Sequence, residues 1–293
     1  MGTFVQLVVD GLSIGSVYAA LALAIVLVNQ TTGLINFAQG GMAVLSAYIA
    51  WWFTGFGVPL IVAILLSVLV SFFMGAGIER WVMRRFERGD PDTAVVVTIG
   101  VLTLITGICG WLFTYNNQQF ASLFSLDTIS ILGASVSVRS LGTTLVIVAI
   151  MIALQGLFLG TKLGLALRAV AVNPQSASFS GLPVGQLLMV GWGLAAVLGA
   201  VAGALIAPQL TLTPGMMDNA LVYALAAVIL GGLSSPLGVV LAAWIIGVLE
   251  NLAAVYVPFI GYDLKVAVPF VLIFVVLIVR PQGLFGRKAV VRV

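Results

Sequence analysis

Nine apolar runs, each near the length of a membrane span, follow one another along the chain, close to 4–28, 33–54, 59–82, 93–114, 141–160, 187–208, 219–233, 236–257 and 264–280. A bilayer core of about 30 Å needs roughly 20 apolar residues per helix. Inside lipid every backbone polar group must find its partner within the segment, so spanning runs of this kind become helices. Only 7% of the 293 residues are charged and 62% are hydrophobic, against roughly 25% charged in a soluble domain. A water-facing fold is excluded. The expected fold is an all-α integral membrane protein, a polytopic bundle of about eight or nine transmembrane helices forming a single transmembrane domain over 1–293. The run at 219–233 is short, which leaves the count between eight and nine. The first run has no basic segment before it and no clean cleavage site after it, so it reads as a retained helix and not as a signal peptide.

The punctuation between runs is definite. Asp92 after Pro91 is a candidate N-cap, and Asp218 with Asn219 opens the short run at 219–233. Gly231-Gly232 closes that run, Ser235-Pro236 pairs a cap residue with proline at the first helical position, and Asp263 is placed to cap the last helix. The stretch 115–139, with Tyr115, Asn116, Asn117, Gln118, Gln119 and Asp127, is the one sizeable external loop.

Basic residues set the orientation. Arg80, Arg84, Arg85, Arg88, Lys162, Arg168, Arg280, Arg287, Lys288 and Arg292 fall on one side if the spans alternate, and only Arg139 and Lys265 on the other. The positive-inside rule makes the first side cytoplasmic. The net charge of +3 therefore reads as topology and not as affinity for nucleic acid. Gly191, Gly193, Gly199 and Gly203, with Ala195, Ala196, Ala200, Ala202 and Ala204, make the run 187–208 small-faced, as expected of a helix packed closely among others.

Catalytic chemistry is sparse. There is no histidine and a single cysteine, Cys109, so neither a disulfide nor a His/Cys metal site is expected, and no catalytic or metal-ligating residue is assigned. The sequence contains no phosphate-cradling GxxxxGK[ST] motif. A self-contained secondary transporter would display intramembrane carboxylates or relays. The candidates are Asp10, near enough to the N-terminus to reach an interface, and Glu250. Glu250 lies 14 residues beyond Pro236, roughly 21 Å along the helix, where a snorkelling or rim role is expected at least as readily as an ion site.

The segment between the fifth and sixth spans carries the clearest local signals. A first short helix is expected over about 164–172. Asn173 then caps a second that starts at Pro174 and ends by Gly181, in a left-handed C-cap. Gln175, Ser176, Ala177, Ser178 and Phe179 form a compact knob on the cytoplasmic side, suited to docking into another protein. Asn36 and Gln39, three residues apart, are read as sharing one helix face, in a run interrupted by Gly33, Gly40 and Gly41. Their amides, with Ser13 and Tyr18, are placed near a translocation pathway, against the alternative of hydrogen bonding between helices.

Five segments stand out in order along the chain: Asp10-Gly11-Leu12-Ser13-Ile14-Gly15 with Tyr18; Gly33-Leu34-Ile35-Asn36-Phe37-Ala38-Gln39-Gly40; Gly164-Leu165-Ala166-Leu167-Arg168-Ala169 with Asn173, Ala177 and Gly181; Gly231-Gly232-Leu233-Ser234-Ser235-Pro236-Leu237-Gly238; and Arg280-Pro281-Gln282-Gly283-Leu284-Phe285-Gly286. Through them, and over nearly its whole length, the sequence resembles the LivH-type permeases of branched-chain amino acid ABC importers. One departure is visible: such permeases usually read Asn-Phe-Ala-His-Gly-Glu where this chain has Asn36-Phe37-Ala38-Gln39-Gly40-Gly41. The loss of His and Glu leaves the fold assignment intact and bears on the solute. The resemblance implies a multi-pass permease of the bacterial inner membrane, energised by two ABC ATPase subunits that use the ATP and fed by a periplasmic solute-binding protein. It implies a second permease subunit, identical or paralogous, and no cofactor bound by this chain. Arg168, Ala169, Asn173, Ala177 and Gly181, in a coupling loop over about 161–186, match the region that contacts the ATPase. The expected solute is a branched-chain or related amino acid. The rival within the family is urea, a short amide or another small neutral solute; from other classes, the rivals are a secondary transporter or channel and an intramembrane enzyme.

Overall fold

The computed structural model describes residues 2–86, 91–131, 134–259, 261, 264–280 and 283–286. Within them lie eleven helices and one hairpin: α1 (Gly2–Thr32), α2 (Gln39–Gly55), α3 (Leu60–Trp81), α4 (Pro91–Phe113), β1 (Thr128–Ile131), β2 (Ala134–Ser137), α5 (Val138–Gly160), α6 (Lys162–Val172), α7 (Pro174–Phe179), α8 (Val184–Leu210), α9 (Asp218–Gly231), α10 (Pro236–Tyr256) and α11 (Ala267–Val279). The chain is an all-α polytopic membrane protein. Among the described residues six helices are long and apolar enough to cross a bilayer, namely those at Thr3–Thr32, Leu60–Arg85, Asp92–Phe113, Val138–Gly160, Val184–Leu210 and Pro236–Tyr256. The apolar runs 33–54, 219–233 and 264–280 yield shorter helices of 17, 14 and 13 residues, because Gly33, Gly232 and the turn at 264–266 take their first or last turns out of the helix.

The polar stretch 115–139 holds an antiparallel hairpin pairing Thr128 with Ser137 and Ile131 with Ala134. Its alternating Thr-Ile-Ser-Ile and Ala-Ser-Val-Ser pattern suits a strand, a signal that the polarity of the loop obscured. Asp92 stands inside the first turn of α4 and not at its cap, where its charge still faces the positive helix end. Ser235 caps α10 as expected, accepting from the Gly238 N–H at 3.1 Å. The Asp263 cap, the Pro281-Gln282 part of the tail motif and the basic residues Arg88, Arg287, Lys288 and Arg292 lie outside the described residues.

The chain divides into two compact units. One comprises Met1–Leu23, Phe124–Met151 and Val222–Val293; the other comprises Ala24–Leu123 and Ile152–Leu221. In the second unit, α3 turns Ile61, Leu65, Leu69 and Phe73 outward. These recur every four residues and make one lipid-facing stripe. Its opposite side buries Ala63, Ser67, Ser71 and Gly75 against α2 and α8. This is the pattern expected when helices associate through small residues, since lipid removes the hydrophobic drive to bury large ones. The closeness is measurable: a Cβ on Gly75 would stand 2.5 Å from the Trp192 carbonyl oxygen. The absent side chain at Gly75 on α3 thus admits the α8 backbone, and the Ser46 and Ser71 hydroxyls bond at 2.6 Å between α2 and α3.

In the first unit, α1 and α10 run antiparallel. Asn251 donates to the Leu7 carbonyl at 3.4 Å, Gly11 lies against Val248, and Gly15 lies against Ala243 and Trp244. Trp244 Nε1 donates to Ser16 Oγ at 2.9 Å, so the two helices are pinned in register as well as packed.

Candidate functional site

Two constructions stand out, one in each unit. The first is the helical corner α6–α7. Thr161 Oγ1 caps α6 by accepting from the Gly164 N–H at 3.0 Å, so the helix begins at Lys162, two residues before the expected start at Gly164. Gly164 itself sits against the Leu157 carbonyl and Phe158, space that no side chain could share. Asn173 then serves both helices in an extended conformation: its N–H donates to the Ala169 carbonyl at 3.2 Å and its Oδ1 accepts from the Ser176 N–H at 2.9 Å. Past Phe179 the Gly181 N–H donates to the Ser178 carbonyl at 3.0 Å and the Leu182 N–H to the Ala177 carbonyl at 3.1 Å. With Gly181 at φ 81°, this is a complete Schellman closure.

Such a corner has a buried side and a free side. Leu167, Val170 and Ala177 are buried, and α6 and α7 both rest on α8. Arg168, Asn173 and Gly181 are exposed, and Ala169 is half-buried. Ala177 therefore shapes the knob from beneath and does not present itself to a partner. Val172 and Phe179 are 87% and 91% exposed, two apolar side chains on the free side of the corner. One further feature positions this end of the unit. Arg84 makes a two-pronged pair with the wholly buried Glu79, at 3.0 and 2.7 Å, and also donates to the Gly185 carbonyl at 2.7 Å. It ties the end of α3 to the first turn of α8, just past the corner. Arg84 thus does more than mark the cytoplasmic side by its charge, and Glu79, not among the sequence candidates, has its one signal in an acid five residues before an arginine at a span's end.

The second construction is a buried polar cluster in the first unit. Glu250, on α10, is 1% exposed. Its Oε2 accepts from the Tyr18 hydroxyl and its Oε1 from the Tyr223 hydroxyl, both at 3.1 Å, and Lys265 Nζ stands 3.2 Å from Oε1. The two tyrosine rings stack with centroids 4.5 Å apart. The helix geometry explains the meeting. Side chains lean toward the N-terminus of their own helix, and because α1 and α10 are antiparallel, Tyr18 and Glu250 lean toward each other. Glu250 does not snorkel to a rim; the tyrosines and Lys265 hold it inside. Asp10 is half-buried and takes both its oxygens' bonds from Gln6 Nε2, at 3.1 and 3.0 Å.

Of the residues placed near a pathway, Tyr18 belongs to this cluster, while Ser13 is buried in α1 and takes no part in its hydrogen bonds. Asn36 and Gln39 lie in the other unit, both fully buried. They do not share a helix face, because α2 begins at Gln39 and Asn36 sits in the turn before it. Asn36 Oδ1 accepts from the Ala38 N–H at 3.0 Å, which fixes that turn. Asn36 Nδ2 donates to Gln39 Oε1 at 3.5 Å, and Gln39 Nε2 donates to the Ala195 carbonyl at 2.9 Å. Each amide thus has a protein partner, Gln39 across helices. Among the described residues no group of three or more His, Cys, Asp or Glu could hold a metal ion.

Comparison with known proteins bears on the whole chain. A family model described as "Branched-chain amino acid transport system / permease component" matches residues 7–277. The chain is similar to the high-affinity branched-chain amino acid transport system permease protein BraD of Pseudomonas aeruginosa, with 28% identity over 304 aligned positions that cover 99% of this chain and 98% of that protein. It is 26% identical, with the same coverage, to the high-affinity branched-chain amino acid transport system permease protein LivH of Escherichia coli K12. An archaeal relative, the probable branched-chain amino acid transport permease protein LivH of Methanocaldococcus jannaschii, is 27% identical over 91% of this chain and 87% of its own length.

Proposed function

This chain belongs to the permease components of branched-chain amino acid transport systems, and we propose that it carries branched-chain or related amino acids into the cell as one subunit of the membrane pathway of an ABC importer. It is a multi-pass protein of the inner membrane from a family of transport permeases, which is not an enzyme family. An ATPase and a solute-binding protein are its partners in such a system. The finer assembly is our reading: two ATPase subunits at the cytoplasmic face, a second permease that is identical or paralogous, and a periplasmic binding protein at the outer face. In this reading the chain has no nucleotide site and binds no cofactor; the connection between α5 and α8, residues 161–183, has only 23 residues, where a nucleotide-binding domain needs on the order of 100. The relatives named above all take their names from branched-chain amino acids, which favours that solute over urea or a short amide.

The α6–α7 corner carries the proposal. Arg168, Ala169, Asn173, Ala177 and Gly181 build a capped knob whose exposed tip, Phe179, offers apolar area to a socket. ATP hydrolysed in the partner moves the permease through this contact; Ser13 and Tyr18 in the first unit and, separately, Asn36 and Gln39 in the second are the candidates for contact with the solute. The test is direct. A cysteine placed at Ser178 should be labelled from the cytoplasmic side, should cross-link to the co-purified ATPase, and should lose labelling when the ATPase is bound. Labelling only from outside, or full labelling within the intact complex, refutes the assignment.

A further inference from the structure

Glu250, itself buried, and the half-exposed Lys265 form an ion pair that neither the family assignment nor ATPase coupling requires. A charged side chain at membrane depth is costly and marks function by default. As a stabilising device the pair is poor, since desolvation consumes most of its attraction and apolar replacements of similar volume do as well or better. Its construction also differs from a simple neutralisation. Tyr18 and Tyr223 donate to separate oxygens of Glu250, so the carboxylate stays fixed whether or not Lys265 is present. Two hydroxyls and one ammonium occupy three of the roughly four acceptor positions of an ionised carboxylate. Lys265 stands on the turn before α11 with its side chain 37% exposed, against 1% for Glu250. The anion is therefore enclosed and held by two hydroxyls, and the cation reaches it from the exposed side.

We propose that this pair is a site for the zwitterionic head of the amino-acid solute, an inference that rests on the amino-acid reading above. The solute's α-ammonium takes the place of Lys265 Nζ on the Glu250 carboxylate, held between the same tyrosine hydroxyls. Its α-carboxylate takes the ammonium of the displaced Lys265. One ion pair is exchanged for two, so the buried Glu250 carboxylate is never left without a cation. The stacked rings of Tyr18 and Tyr223, 4.5 Å apart, supply an apolar wall beside the head group for the start of an aliphatic side chain. A neutral amide, lacking both charges, cannot open the pair.

The experiment uses the complete importer in proteoliposomes with its binding protein, carrying the wild-type chain, E250Q, K265M, or both substitutions. Leucine uptake should fall at least tenfold in each single variant that still co-purifies with the ATPase, and should not recover in the double variant. Recovery in the double variant, which leaves no unpaired buried charge, would show the two residues merely neutralise each other and would overturn the site. If the variants do not assemble, the wild-type permease–ATPase complex decides. Millimolar leucine should raise its unfolding temperature, whereas 4-methylpentanoate and 3-methylbutylamine, each lacking one charge of the zwitterion, should not. No shift with leucine, or an equal shift with all three, overturns the proposal. A wild-type importer that takes up a short amide and no leucine removes the amino-acid reading and this site together; leucine uptake that survives E250Q and K265M removes this site alone.

Discussion

Substituting Asn173 by alanine perturbs the coupling corner at its hinge. The helix α7 has only six residues, Pro174–Phe179, far below the length at which a helix holds itself in water. It persists because Asn173 Oδ1 caps it at 2.9 Å, Gly181 closes it and its own Ala177 is buried. Loss of an asparagine cap costs about 1 kcal/mol, which at room temperature is about a fivefold change in an equilibrium constant. Hydrogen exchange at the Ser176 amide, the proton the cap holds, should therefore quicken about fivefold in N173A. ATP hydrolysis stimulated by the loaded binding protein should fall in the same variant. N173S and N173D, which retain a cap acceptor, should stay near wild type by both measures. Unchanged exchange in N173A would refute the cap as the source of order. Loss of coupling in N173S equal to that in N173A, with normal exchange, would show that the partner reads the asparagine itself.

Other substitutions test the remaining links. Ala177 is the buried residue of α7, so A177E should expel the helix from its seat on α8 and uncouple hydrolysis from uptake while leaving the protein in the membrane, checked by comparing ATPase rate with transport in proteoliposomes. Valine at Gly75 would press on the Trp192 carbonyl and Ala196 Cβ, at 2.5 and 2.7 Å even for the first carbon; G75V should abolish folded yield on size-exclusion chromatography, whereas G100A, which meets nothing within 4 Å, should behave as wild type. Y18F removes one of the hydroxyls on Glu250, a bond to a charged group of the kind worth about 1.5–3 kcal/mol, and should lower the unfolding temperature and leucine uptake together. N36L with Q39L should abolish uptake at full expression if these amides stand on the route; normal uptake would leave them structural bonds alone, Gln39 to Ala195 and Asn36 to Ala38 and Gln39.

Much of the fold was legible because lipid imposes simple rules. Long apolar runs, cap residues and small-residue faces each have one reading in a bilayer, and Ser235, Gly181 and Asn173 acted as their chemistry predicts. The hairpin at 128–137 was hidden because its strands are short and sit in a polar stretch. Asn36 was misplaced on a helix face because its spacing from Gln39 fits a turn of helix as well as it fits a side chain folding back on Ala38. Glu250 was read from its depth alone. Its real surroundings depend on which way α1 and α10 run, on Tyr223 from a third helix, and on Lys265 from a turn beyond; no local pattern carries those pairings. Glu79 stayed invisible for the same reason, since its burial comes from how α3 meets its neighbours.

The central claim is that this chain is the membrane pathway of a machine powered from outside itself, and reconstitution tests it most directly. Purified alone into liposomes, the chain should neither hydrolyse ATP nor accumulate leucine against a gradient. Adding the ATPase subunits, any second permease and the binding protein should bring both activities on together. Concentrative leucine uptake by the lone chain under a proton or sodium gradient would contradict the account and make it a secondary transporter.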